Sequence, residues 1–137
     1  MYRAIAVLLT GDAEKHAQFR KAACDYIETN CKHFVTEDAF ASERAAQQHV
    51  TQQRKFGTYG THVELAALGY DLHLRILVYQ DGDRTSYNCG VEGSDAKPAT
   101  TIALSFDSHA EHFDAIVECR PVPPRVAPDA QQDSLQG

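Results

Sequence analysis

The sequence predicts an α+β fold built in layers, and three observations carry that prediction. Segments with helical spacing fill the first half, and short branched-aliphatic and aromatic runs bounded by turn signals fill the second. The order is helices first and strands afterwards, which argues against a repeating βαβ unit. A chain of 137 residues is long enough to bury one core and short for two.

The elements follow in order. Residues 2–9, "YRAIAVLL", read as a short buried helix that stops at Thr10-Gly11, where glycine releases the backbone. Asp12 is placed to cap the next helix. Across residues 13–30, Phe19, Ala22, Ala23, Tyr26 and Ile27 recur at three- and four-residue intervals, the pattern of a helix with one face on a core. The stretch "FVTEDAFASERAAQQHVTQQRK" is polar and rich in helix formers, so one or two surface helices are expected there. In "FGTYGTHVELAAL", Gly57 and Gly60 punctuate a turn, and Thr61 with Glu64 forms a capping box that opens a helix reaching about Gly69 or Tyr70. "HLRILVYQ" before "DGD" is a buried strand entering a turn, and residues 85–91, 101–106 and 112–117 are three more strands. The expected domain covers residues 1–119. Residues 120–137 hold four prolines among polar neighbours and read as a disordered tail.

Composition narrows the function classes. Hydrophobic residues make up 43% and charged residues 23%, ordinary globular usage, and no run of eighteen apolar residues could span a bilayer, so no membrane partner is expected. The formal net charge is −6, from 19 acidic and 13 basic residues, and no dense Lys/Arg cluster exists to track a phosphate backbone. Nucleic acid is therefore not an expected partner. The apolar run at residues 4–9 is short for a signal peptide and no small-x-small cleavage site follows it, so the chain reads as mature, intracellular protein. Cys24, Cys31, Cys89 and Cys119 lack C-x-x-C spacing and read as reduced structural thiols. His109 and His112 stand three apart, on opposite faces of a strand, so no metal site is expected.

The chemistry-bearing stretch is "DSHAEHFDAIVE". On a strand, His112 and Asp114 point to the same face, and a carboxylate beside an imidazole fixes its tautomer and stabilises its charged form. Spacing alone also fits a solvated polar pair, and His109 with Asp107 has the same spacing.

Three segments together go further. "YRAIAVLLTGD" with its following helix, "FGTYGTHVELAAL" before "LRILVYQ", and "IALSF" leading to "HFDAIV" resemble, in order and spacing, the ovarian-tumour (OTU) family of cysteine deubiquitinases. In that family a D-x-N-C-[LM]-[FY]-R-A motif, a glycine-containing turn into an E-L helix, and a final H-[FY]-[DN] recur. The resemblance covers residues 1–117 and implies a papain-like domain with helices on a mostly antiparallel twisted sheet. It favours His112 over His109, because Phe113-Asp114 continues the family motif. It also implies hydrolysis of the isopeptide or peptide bond after ubiquitin's C-terminal glycine, in which a thiolate attacks the carbonyl, His112 relays the proton to the leaving amine, Asp114 orients His112, and no cofactor takes part. Tyr59 and Gly60 become candidate walls of a groove for an extended substrate tail, with packing of Tyr59 against the sheet as the alternative.

Aligning Tyr2-Arg3-Ala4 with the family's [FY]-R-A sets Met1 just after the nucleophile position. The catalytic cysteine is thus expected immediately before Met1, at a helix N-terminus whose unpaired N–H groups favour a thiolate. None of the four cysteines present suits the role. The expectation is a ubiquitin-directed thiol isopeptidase domain, monomeric and cytoplasmic or nuclear, inactive without that cysteine. The alternative is a catalytically dead ubiquitin-binding or protein-interaction module.

Overall fold

The computed structural model describes residues 1–36, 39–55 and 57–116. The expected tail, Cys119 and the end of the expected last strand lie outside the described residues.

Helix α1, Tyr2–Thr10, buries Tyr2, Ala4, Ile5 and Ala6 and ends as its glycine predicts, with Gly11 at φ 77° donating its N–H to the Val7 carbonyl. Asp12 caps a single 3-10 turn, Ala13–Lys15, by accepting the Glu14 N–H. Helix α2, His16–Thr29, starts only after that turn and buries Phe19, Ala23, Cys24 and Ile27. The expected helix over residues 13–30 is therefore two pieces, because Asp12 satisfies the donors of a tight first turn before the α-helix begins.

The polar stretch that follows forms one α-helix, α3, Glu43–Gln53, opened by Ser42, whose hydroxyl accepts from Ala45. It is less of a surface helix than its composition suggests. Ala46, Val50 and Gln53 make a narrow buried stripe, and Gln53 is polar. Helix α4, His62–Leu72, opens on the predicted Thr61–Glu64 capping box and runs slightly past the expected end, to a left-handed His73.

Strands β1 (Leu74–Gln80), β2 (Tyr87–Asn88), β3 (Thr100–Asp107) and β4 (His112–Ala115) form one sheet in the order β2-β1-β3-β4. The sheet is mixed and not mostly antiparallel. Its longest pairing, β1 with β3, is parallel from Leu74↔Thr100 to Gln80↔Phe106, whereas β1–β2 and β3–β4 are antiparallel. The chain between β1 and β3 is long enough to return to the starting end of β1, which a parallel pairing requires. β2 is shorter than expected because Asn88 Oδ1 accepts the Ile76 N–H in place of a backbone carbonyl, while the Cys89 and Val91 N–H groups still donate to the Ile76 and Leu74 carbonyls.

Leu74, Ile76 and Val78 alternate inward on β1, and with Ile5, Ile27, Leu65, Leu68 and Leu104 they form the core between helices and sheet. α4 packs on β1 and α1 packs on β4. The second contact brings the head of α1 to the edge strand that carries His112.

Candidate active site

Three segments meet at this edge: the head of α1, the turn at residues 57–61, and β4. Gly60 is buried there, and a Cβ at that position would lie 2.5 Å from Met1 Cε and 3.2 Å from Tyr2 Cζ. Glycine lets the turn lie directly on the head of α1.

Gln53 fixes the turn from below. Its side-chain NH2 donates to the Tyr59 carbonyl (2.8 Å) and its Oε1 accepts from the Tyr2 hydroxyl (2.8 Å). Arg20 donates to the Gln53 carbonyl (2.7 Å) and lies 4.5 Å from the centre of the Tyr2 ring. Burial pushes the Tyr2 phenol far above its ordinary range, with the charge of Glu64 adding to the effect, so Tyr2 remains a donor. Glu64, fully buried, accepts at Oε1 from both the N–H (2.8 Å) and the hydroxyl (2.6 Å) of Thr61 and pairs through Oε2 with His49 of α3. The turn is thus held at Thr61 through Glu64 and at Tyr59 through Gln53. The capping box was readable in the sequence. His49 and Gln53 were not, because only the packing of α3 on its neighbours identifies their partners.

On β4, His112 and Asp114 share a face as the strand spacing predicts, with His112 Nε2 3.0 Å from Asp114 Oδ1. Their side chains are 50% and 69% exposed. Between them Phe113 points inward, packing against Phe106 and His62 and anchoring the strand in the core. On the other side of the imidazole, the Tyr59 hydroxyl stands 2.7 Å from Nδ1 and the two rings stack at 5.4 Å. The same hydroxyl accepts the Phe113 N–H at 2.7 Å. In a neutral imidazole a carboxylate only accepts, so Nε2 carries the hydrogen, and Nδ1 at 2.7 Å is the nearer acceptor for the Tyr59 hydroxyl, the Phe113 carbonyl standing at 3.5 Å. Burial raises the Tyr59 phenol above its ordinary value, and the nearby charge of Asp114 adds to that while the Phe113 N–H opposes it. The hydroxyl therefore keeps its proton at neutral pH.

Met1, Tyr59, Gly60, His112 and Asp114 line a cleft of about 460 Å³. All four residues expected from the sequence thus come together, although Gly60 is buried beneath Met1, and Tyr59 reaches the imidazole itself. His109 stays apart: it sits in the β3–β4 turn, where Asp107 accepts its backbone N–H (2.9 Å) and that of Ala110. Asp107 is a turn cap and does not orient a base.

Cys24 and Cys31 are buried, Cys89 is half-buried, and none of the three lines the cleft. Burial pushes all three thiols up, Cys89 to about 11, the opposite of what an attacking thiolate needs. Among the described residues no three His, Cys, Asp or Glu side chains are grouped to hold a metal ion, and no helix is long and apolar enough to cross a membrane.

The family model for OTU-like cysteine proteases matches residues 1–113. The chain is 27% identical over 121 residues to OTU domain-containing protein 5-A of Xenopus laevis, covering 85% of the chain and 21% of that protein. It is 32% identical over 89 residues to human OTU domain-containing protein 5, covering 63% of the chain and 14% of that protein. The chain thus spans about a fifth or less of the length of these relatives. Among solved structures, the OTUD1 OTU domain superposes with a TM-score of 0.66 at 23% identity, over 83% of this chain and 75% of that one. The Hazara virus OTU bound to ubiquitin gives 0.52 at 20% identity, over 83% and 71%. Both share the fold.

Proposed function

The chain belongs to the family of OTU-like cysteine proteases, and from that premise we propose that His112 and Asp114 are the base and orienting acid of a thiol isopeptidase site directed at ubiquitin conjugates. One observation carries the reading: the His112–Asp114 pair faces the head of α1 across a shared cleft. A thiol there would stand where unpaired helical N–H groups favour its anion. Its sulfur would attack the carbonyl of ubiquitin's C-terminal glycine while His112 takes the thiol proton and passes it to the amine that leaves as the bond after that glycine breaks. Water then releases the acyl group from sulfur, and Asp114 keeps the imidazole turned toward the reaction throughout.

The residue at the head of α1 is Met1, and none of the described thiols lines the cleft. With that arrangement these 137 residues by themselves are expected to leave ubiquitin conjugates uncleaved. The absence of the described thiols Cys24, Cys31 and Cys89 from the cleft lining favours the second reading, a non-catalytic ubiquitin-binding module. The protein acts as a monomer in the cytoplasm or nucleus, without a cofactor and without nucleic acid or membrane as partner.

The test compares the 137-residue chain with a version extended by a D-x-N-C segment immediately before Met1, both incubated with ubiquitin carrying a fluorogenic C-terminal amide. The extended chain is expected to release fluorophore and the shorter one to remain silent. An extended, folded chain that binds ubiquitin without turnover supports the module. An adduct of an electrophilic ubiquitin with Cys24, Cys31, Cys89 or Cys119 would show that the nucleophile has been misassigned.

A further inference from the structure

We propose that Tyr59 is a positioning residue that latches His112: its hydroxyl occupies the only lone pair the neutral imidazole has free and must leave before His112 can accept a proton. The proposal deepens the isopeptidase reading and rests on it for its functional meaning. Its geometry stands independently.

With Nε2–H donated to Asp114, the lone pair on Nδ1 is the sole place where His112 can receive a proton, and the Tyr59 hydroxyl fills it at 2.7 Å. The hydroxyl is itself fixed, because it accepts the Phe113 N–H as it donates to Nδ1. The stacked rings add a second restraint on the imidazole plane. The main chain of Tyr59 is held separately, through its carbonyl, by buried Gln53. The side chain can therefore turn without the turn at residues 57–61 coming loose.

Space exists for that movement. Tyr59 is 38% exposed. The Tyr59–His112 pair borders the cleft beside α1 and also a second cavity of about 640 Å³ lined by His62, Phe106, Ser108 and Glu111. A ligand entering either cavity meets Tyr59 and His112 together, since both residues line both cavities. The resting site thus holds its imidazole aligned and covered, and occupancy of the cleft uncovers it.

Diethyl pyrocarbonate tests this without nucleophile or ubiquitin, because it acylates the free lone pair of a neutral imidazole. The folded 137-residue chain is treated at mildly alkaline pH, and carbethoxylation of each histidine is followed by peptide mass spectrometry, with His33 and His73 as internal references. Tyr59→Phe keeps the ring and removes the hydroxyl. It is expected to accelerate modification of His112 about five-fold relative to the references, the population factor of one ordinary hydrogen bond. Tyr59→Leu, which also removes the stack, is expected to accelerate it at least as much. An unchanged rate in Tyr59→Phe with acceleration only in Tyr59→Leu would mean that the stack, and not the hydroxyl, covers the ring, and would overturn the latch. Parallel acceleration of all three histidines would reduce the hydroxyl to a support of the fold and overturn it equally. Since no cleavage is measured, failure here is distinct from failure of the isopeptidase reading.

Discussion

Two histidine–carboxylate pairs among the described residues sit in opposite surroundings. His49–Glu64 bridges α3 and α4 with Glu64 fully buried and His49 23% exposed, whereas His112–Asp114 lies open on an edge strand. The chemical groups are the same kind, and burial assigns them different work. In the first, the carboxylate is surrounded by the Thr61 N–H, the Thr61 hydroxyl and the imidazole, so removing any partner strands a polar group away from water. In the second, water can replace either partner, so the pair contributes little to stability. A chemical site needs the exposed version, and the buried version holds in place the turn on which that site depends.

The largest effect should come from the buried pair. His49→Ala leaves the fully buried Glu64 carboxylate without its imidazole and is expected to destabilise the fold by about 3–5 kcal/mol, the range for breaking a buried pair. Denaturant unfolding followed by circular dichroism would measure it, and a loss under about 1 kcal/mol would place this node in the same class as surface pairs. Gln53→Ala should follow, at roughly 1–3 kcal/mol, because it leaves the Tyr2 hydroxyl and the Tyr59 carbonyl unpaired. Substitution at the exposed pair is expected to matter least for stability. Asp114→Ala should fall within about 1 kcal/mol of the parent protein, and a larger loss would erase the contrast between the two pairs.

Acid sharpens the comparison through a third histidine. His62, at the start of α4, lies against Phe106 and Phe113, and burial lowers its pKa below the ordinary value. A depressed folded pKa means that the unfolded chain binds the proton first as pH falls. His62 therefore contributes stability above the ordinary imidazole pKa of about 6.5, and that contribution is lost below it. His62→Phe should flatten this acid limb in melts recorded on either side of that pH. An unchanged slope would assign the limb to another group.

Much of this arrangement was legible in the sequence, for local reasons. The Gly11 stop, the Asp12 cap and the Thr61–Glu64 box are short-range signals whose partners lie within a few residues, and all three appear. The shared face of His112 and Asp114 follows from strand periodicity in the same way. What could not be read depends on distant partners. The parallel β1–β3 pairing rests on where a long connection returns, and the truncation of β2 on the Asn88 side chain meeting Ile76. The inward stripe of α3 was hidden because it includes Gln53, a residue usually found in solvent. The resemblance leaves Tyr59 as either a groove wall or packing on the sheet, and its bond to Nδ1 needs a fold that brings a turn and a strand 53 residues apart into contact.

The central claim is that His112, oriented by Asp114, is the base facing the head of α1, and turnover in the cysteine-extended chain tests it most directly. Each substitution is made in that chain and kcat is measured on the fluorogenic ubiquitin amide. His112→Ala is expected to lower kcat by about 10²–10⁴, the contribution of a positioned general acid–base, with Asp114→Ala costing less and His109→Ala leaving it unchanged. Full activity in His112→Ala, or a loss confined to His109→Ala, would contradict the assignment.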